Sequence, residues 1–341
     1  MPAPAPTATA SMIPTSLIPS YRGLSDGFLD SLEALALAPE GGWWRDVLAH
    51  RELVLAVRAE YLNVYHRGAA LFLIGQRQGR VVASTHAKYL VRQRQGAAEL
   101  RADATFGLEA DTAFWRRYEG PQTLDEMLRA AVTLAGPEKT GVHDLVLADP
   151  RVIDVEISLS GAPIGLPGDI GHAADAVVPG PPQNRQDRLD VAALTERDGA
   201  AFVTFHEAKH FTNKELRAAN GRTPPVAEQI ARYRATLNHH ADKLAGSYQA
   251  VCRALVRLDR LRQTLSGTGA ISRLDPLVSR VADAPITPGI DTEPRLVVFG
   301  FDEDQRQGAV WQSHKARLTN EFGLRVYAVG STKGRSAAAF R

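Results

Sequence analysis

From Arg151 to Gly161 the chain reads "RVIDVEISLSG", with Ile153, Val155, Ile157 and Leu159 alternating with Asp154, Glu156 and Ser158. A period of two puts the apolar set on one face of a strand and the polar set on the other. The same period runs through "RLDVAALTERDGAAFVTFHEAKHF", where Asp198-Gly199 between two strand-like runs predicts a tight hairpin. Earlier, "LVLAVRA", "YLNVYHRGAALFLI" and "RVVASTHAKYLV" predict three extended segments of an antiparallel meander, with "QRQG" before Arg80 as a turn.

Helical spacing marks other stretches. "GFLDSLEALAL" and "TLDEMLRAAVTLAG" read as helices, the second with Thr123 as cap and Glu126 closing a capping box. "TPPVAEQIARYRATL" predicts a helix with Pro at its start. "DKLAGSYQAVCRALVRLDRLRQTL" predicts a longer one, with Leu244, Tyr248, Val251, Leu255 and Leu258 as its apolar stripe. The tail, "RLVVFGF", "AVWQSHKARLTNEFG" and "LRVYAVG", predicts a βαβ unit that extends a mixed sheet.

These elements predict the α/β class: a mixed central sheet flanked by helices over 121–341, an α+β accessory module over 21–120, and a flexible Pro- and Ala-rich arm over 1–20. A Gly/Pro-rich connection from Ser160 to about Gln186 interrupts the strands. A chain of 341 residues, 44% hydrophobic and 23% charged, is long enough for one large core or two modest ones and is expected to be soluble and globular. The single Cys252 excludes an internal disulfide framework and favours a reducing, cytoplasmic setting. The arm lacks a basic segment followed by an unbroken apolar run, so it does not read as a signal peptide, and no run is long enough to make a membrane an expected partner. Arg outnumbers Lys and Ala is frequent, a bias consistent with a bacterial origin.

Charge sharpens the picture. Lys209 to Arg262 holds eleven Lys or Arg against four Asp or Glu, so this segment is +7 in a chain of net +2 and the rest is −5. Basic clusters of this kind often form nucleic-acid footprints, while a single Arg such as Arg253, Arg257 or Arg260 more often lies on a solvated helix face.

The basic segment begins where an apolar strand ends in "FHEAKHF". Parity puts Glu207 and Lys209 on the side of Val203 and Phe205, and His206 and His210 out of phase with them. With Asp198-Gly199 as the loop, Arg197 faces Ala200 and Asp190 faces Glu207, with β-carbons about 5 Å apart. A four-residue loop would make that pair diagonal and leave the face unchanged. Two opposed carboxylates repel, so a counter-charge is required. Mg²⁺ or Mn²⁺ with oxygen ligands supplies one; a charged Lys209 cannot be a ligand, but it can hold the attacking water, help deprotonate it, or stabilise charge on a phosphate. The plainer alternative is a cross-strand salt-bridge ladder on a solvated face.

Leu189-Asp190 followed by Glu207-Ala208-Lys209 resembles the bipartite motif of the PD-(D/E)xK nuclease superfamily, with Leu in place of Pro. In "EQIARYR", Gln229 and Tyr233 reproduce a QxxxY element that resembles RecB-type members, and their spacing puts both on one helix face. The resemblance covers roughly 150–265, with the carboxy-terminal βαβ as an extension. It implies a restriction-endonuclease-like fold and a Mg²⁺- or Mn²⁺-dependent phosphodiesterase acting on nucleic acid, DNA foremost, in bacterial genome defence or DNA processing. Asp190 and Glu207 are then the metal ligands, Lys209 the catalytic amine, and Glu156 an upstream acid, with Asp154 second. Gln229 and Tyr233 are implied to touch the nucleic-acid backbone, and Asn213, Lys214 and Arg217 follow closely enough to join them. Two other classes compete: a catalytically inactive nucleic-acid-binding protein on the same fold, and an adaptor subunit that needs a partner. A homodimer would bring two sites to one duplex.

Overall fold

The computed structural model describes residues 22–92, 102, 114–159, 187–218, 222–267, 271–332 and 339–340; the arm and the 160–186 connection lie outside them. The amino-terminal region opens with helices α1 (Asp26–Leu37) and α2 (Gly42–Ala49). Four strands follow, β1 (Val54–Val57), β2 (Tyr61–His66), β3 (Ala69–Arg77) and β4 (Arg80–Ser84), in an antiparallel meander. The meander has four strands, where the sequence pattern predicts three. The run from Tyr61 to Ile74 breaks at Arg67 and Gly68, whose φ of 49° and 75° form a reversal that apolar periodicity does not mark.

Helices α3 (Pro121–Leu134) and α4 (Pro137–Ala148) lead to the second sheet. Thr123 does not cap α3. Pro121 takes the first helical position after Gly120, and Thr123, one turn in, accepts from the Glu119 backbone N–H at 3.0 Å. Glu126 instead accepts from Trp115 Nε1 at 2.7 Å. The second helix, α4, was not legible as such, because its Pro137 start and Gly141 hide its period.

The second sheet holds β5 (Val152–Leu159), β6 (Asp187–Arg197), β7 (Ala200–His210), β8 (Gly289–Ile290), β9 (Arg295–Phe299) and β10 (Arg325–Ala328). Its order is β10-β9-β7-β6-β5, with β8 pairing to β7. β6 runs antiparallel to both neighbours, while β7, β9 and β10 are mutually parallel, so the sheet is mixed. The remaining helices are α5 (Pro225–Ser266), α6 (Pro276–Asp283), α7 (Glu303–Gln307) and α8 (Ala309–Asn320). The two helices expected between Pro225 and Leu265 are one, of 42 residues. Their link, "NHHA", holds neither Gly nor Pro, and the predicted apolar stripe is buried in full, so nothing stops the helix there. The tail is the predicted βαβ unit, with β9 and β10 parallel.

Helices cover both faces of this sheet. On one, Leu237 and Tyr248 of α5 pack with Leu189, Ala192, Leu194, Val203 and Phe205, in a cluster that continues without a break to Phe28, Trp44 and Leu62. On the other, Leu145 and Val146 of α4 pack with Val191, Ala193, Ala208, Val297 and Phe299. Cys252 is buried, as a small apolar residue should be. Among the described residues no helix is long and apolar enough to cross a membrane.

One strand departs from strict alternation. Val155 packs with the α4 cluster, whereas Ile153, Ile157 and Leu159 pack on the α5 side. The β5 register slips between Val152 and Asp154, and Glu156 has a φ of 50°, so the strand is bulged and its faces exchange. Asp154 is buried between Arg22, at 2.9 Å, and Arg58, at 2.5 Å, with the Tyr248 hydroxyl at 3.3 Å.

Candidate active site

The hairpin that builds the site closes as expected. Asp198 and Gly199 have φ of 51° and 77°, the left-handed pair of a two-residue turn whose twist matches the strands it joins. The ladder runs from Arg197 opposite Ala200 to Val191 opposite His206. There it ends, one pair short of Asp190 and Glu207. Leu189 packs on the same side as Ala192 and not with Val191, so alternation slips at Asp190. The Asp190 carboxylate instead accepts from the Ala208 backbone N–H at 2.8 Å, beside Glu207 but outside the ladder.

Lys209 extends from the next pleat. Its Nζ lies 2.9 Å from Glu207 Oε1 and 2.6 Å from Glu215 Oε2. Glu207 Oε2 is buried with no hydrogen-bond partner among the described residues. Burial raises the Glu207 carboxyl to about 7; Lys209 opposes that rise, while Glu138 and Glu215 add to it. Asp190 is raised as well, chiefly by burial and then by Glu207 and Glu156, against the Ala208 N–H and Lys209. Burial works against the Lys209 ammonium, but Glu207, Glu215 and Asp190 outweigh it and hold the group charged.

Glu156 sits at the bulge of β5 and is ion-paired to Arg188. Tyr233 and Gln229 share a face of α5, and the Gln229 amide donates to the Tyr233 hydroxyl, which donates to the Arg188 carbonyl. Tyr233 is buried, so it ties α5 to β6 two residues before Asp190 and presents no free hydroxyl to a ligand. Asn213 caps the short turn Lys214–Leu216 by accepting from Glu215 N at 2.8 Å, and its amide donates to Glu138 Oε2 at 2.6 Å. Arg217 donates to the Phe211 carbonyl at 2.9 Å, and Lys214 is exposed. His206 is buried on the opposite face against Phe340, with its Nε2 at 3.1 Å from the Thr204 hydroxyl; burial and the nearby Arg295 and Arg151 lower its pKa to about 3, so it is neutral. His210 packs over Gly300, where a Cβ would come within 2.3 Å of the imidazole Nε2.

Three neighbours were not picked out from the sequence. Glu138 of α4 accepts from His210 N at 3.0 Å and bears on Glu207; no spacing links it to the hairpin. Glu215 and Arg188 adjoin residues already singled out, and their signal was that proximity alone.

Among the described residues no three His, Cys, Asp or Glu side chains group closely enough to hold a metal by themselves. The Asp190–Glu207 pair nevertheless suits a hard divalent cation: its donors are carboxylate oxygens, one is buried without a partner, and burial with like charge opposes ionisation of both. No family model matches the chain, and no curated protein or solved structure matches it significantly.

The raised Glu207 has a consequence for pH. Stability from a group raised from 4.5 to about 7 is complete below the lower value and is lost as pH climbs through the higher one. Without divalent cations, stability against thermal unfolding should therefore fall as pH rises across this window, by about 3 kcal/mol from this group. Glu207→Gln should flatten the slope; a wild-type slope that the variant reproduces would contradict the assignment.

Proposed function

We propose that the protein is a metal-dependent phosphodiesterase acting on nucleic acid, DNA foremost, on a restriction-endonuclease-like fold. The observation that carries this reading is the hairpin that sets Asp190 beside Glu207, with one Glu207 oxygen buried and unpartnered and the Lys209 ammonium on the other. The mixed sheet flanked by helices is the framework that the resemblance to PD-(D/E)xK nucleases calls for.

Asp190 and Glu207 would hold Mg²⁺ or Mn²⁺. When bound, that cation neutralises the two carboxylates and supplies Lewis-acid polarisation of a phosphate oxygen. The protein's own groups have separate tasks. Lys209, kept protonated by Glu207 and Glu215, stabilises negative charge developing on phosphorus oxygens and is a poor general base. The Ala208 N–H fixes one Asp190 oxygen, and Tyr233 fixes the strand that carries it. Glu156, next to Asp190 and paired to Arg188, is the auxiliary acid. Lys214 and Arg217 provide exposed positive charge beyond β7 for the nucleic-acid backbone.

The ion pairs of Lys209 favour a second reading, a nucleic-acid-binding protein that does not cut, because they already supply Glu207 with a counter-charge. Plasmid and single-stranded DNA incubated with the protein and Mg²⁺ separate the two. Cleavage that requires Asp190 and Lys209 supports the enzyme; DNA binding without cleavage of any substrate supports the second reading.

A further inference from the structure

Three arginines meet one carboxylate on the sheet face opposite Glu207. Arg295 pairs in register with His206 and Arg325 with Arg295, which puts both side chains on the His206 and Ala208 side. Arg197 lies over the Phe202 ring at 5.1 Å, on that same side. Asp291, just after β8, accepts from all three: from Arg197, from Arg295 Nη2 at 3.1 Å and from Arg325 Nη1 at 3.2 Å. The nearby Glu293 is taken by Arg234 at 2.7 Å. Three positive charges facing one negative leave a surplus of two.

Arg197 and Arg325 reach solvent, but the charge of Arg295 is held inside. Arg295 is 4% exposed, yet its Nε and Nη1 have no hydrogen-bond partner among the described residues. Buried N–H donors of a charged group are costly when unpaired, and native structures rarely leave them so without a missing partner. Burial also lowers the pKa of this guanidinium, so the site favours an anion that would restore it.

We propose that Arg197, Arg295 and Arg325 form a phosphate-binding site, with Arg295 as its buried anchor and the partly exposed Arg197 and Arg325 as its arms. A phosphate dianion matches the surplus of two charges, and its oxygens accept the diverging N–H bonds of guanidinium groups. The phosphate arrives either free, as inorganic phosphate or a small phosphomonoester, or as the terminal phosphate of a nucleic-acid strand. The site is independent of the carboxylate chemistry of Asp190 and Glu207.

Calorimetric titration of the full chain with inorganic phosphate tests this. Saturable binding is expected, weakened about tenfold or more by Arg325→Gln and further by Arg295→Met. Arg325 is partly exposed, so its variant should fold even if the buried substitution does not. Paired oligonucleotides with a 5′-phosphate or a 5′-hydroxyl identify the source: tighter binding of the phosphorylated strand assigns a strand end, and equal binding assigns the free anion. No saturable phosphate binding by the wild type, or unchanged affinity in Arg325→Gln, would overturn the proposal.

Discussion

Asp190→Asn is expected to lower Mg²⁺-dependent DNA cleavage about a thousandfold or more, because a ligand charge is lost while the side chain keeps its shape. The asparagine carbonyl can still accept from the Ala208 N–H, so β6 and β7 stay in place. The substitution also removes a buried like charge beside Glu207, so the metal-free variant should be at least as stable as the wild type. Loss of cleavage without loss of stability therefore distinguishes a ligand from a structural residue. Lys209→Ala should cost about a hundred- to a thousandfold, the usual effect of deleting one charge-stabilising donor. DNA binding, measured by fluorescence anisotropy, should persist in both, and undiminished cleavage in either would remove that residue from the site.

The largest effect on stability is expected one strand away from the hairpin, on β5, where Asp154 lies opposite Ala192 of β6. Asp154→Ala should destabilise the protein by about 3–5 kcal/mol, since it leaves the Arg22 and Arg58 guanidinium groups buried without their carboxylate. Both arginines retain backbone acceptors, Ser158 O for Arg22 at 2.9 Å and Val155 O for Arg58 at 2.7 Å, but those carbonyls carry no full charge. Urea unfolding measures the loss. A change below about 1 kcal/mol would mean that water replaces the carboxylate, as it does at exposed pairs. Because Asp154 lies two residues before Glu156 and joins the amino-terminal region to β5 and α5, the same variant tests whether that junction holds the auxiliary acid in place.

The sequence revealed the hairpin because its signals are local: Asp-Gly sets the turn, alternation sets the faces, and together they fix the register from Arg197 to Val191. Departures occur where local signals fail. Alternation could not show the bulge at Glu156, where the backbone turns to positive φ without a Gly or Pro to announce it, nor the slip at Asp190, which appears only in the sides on which Leu189 and Val191 pack. The link of α5 carries no Gly or Pro to stop a helix, but that absence permits continuity without requiring it, and the single 42-residue helix is settled by packing along its length. Glu138 could not be found at all, since it reaches Asn213 and His210 from a helix more than 70 residues earlier. Tyr233 had the right face but not the expected exposure: a motif fixes which residues are neighbours, while burial depends on what packs above them.

Everything catalytic turns on whether Asp190 and Glu207 bind a cation together. Titration of the protein with Mn²⁺ near neutral pH, followed by electron paramagnetic resonance and by proton release, measures this without reference to cleavage. One ion per chain should bind and displace protons from the raised carboxyls, and both signals should be lost in Glu207→Gln and Asp190→Asn. Absence of Mn²⁺ binding by the wild type, or equal binding by the two variants, would contradict the assignment.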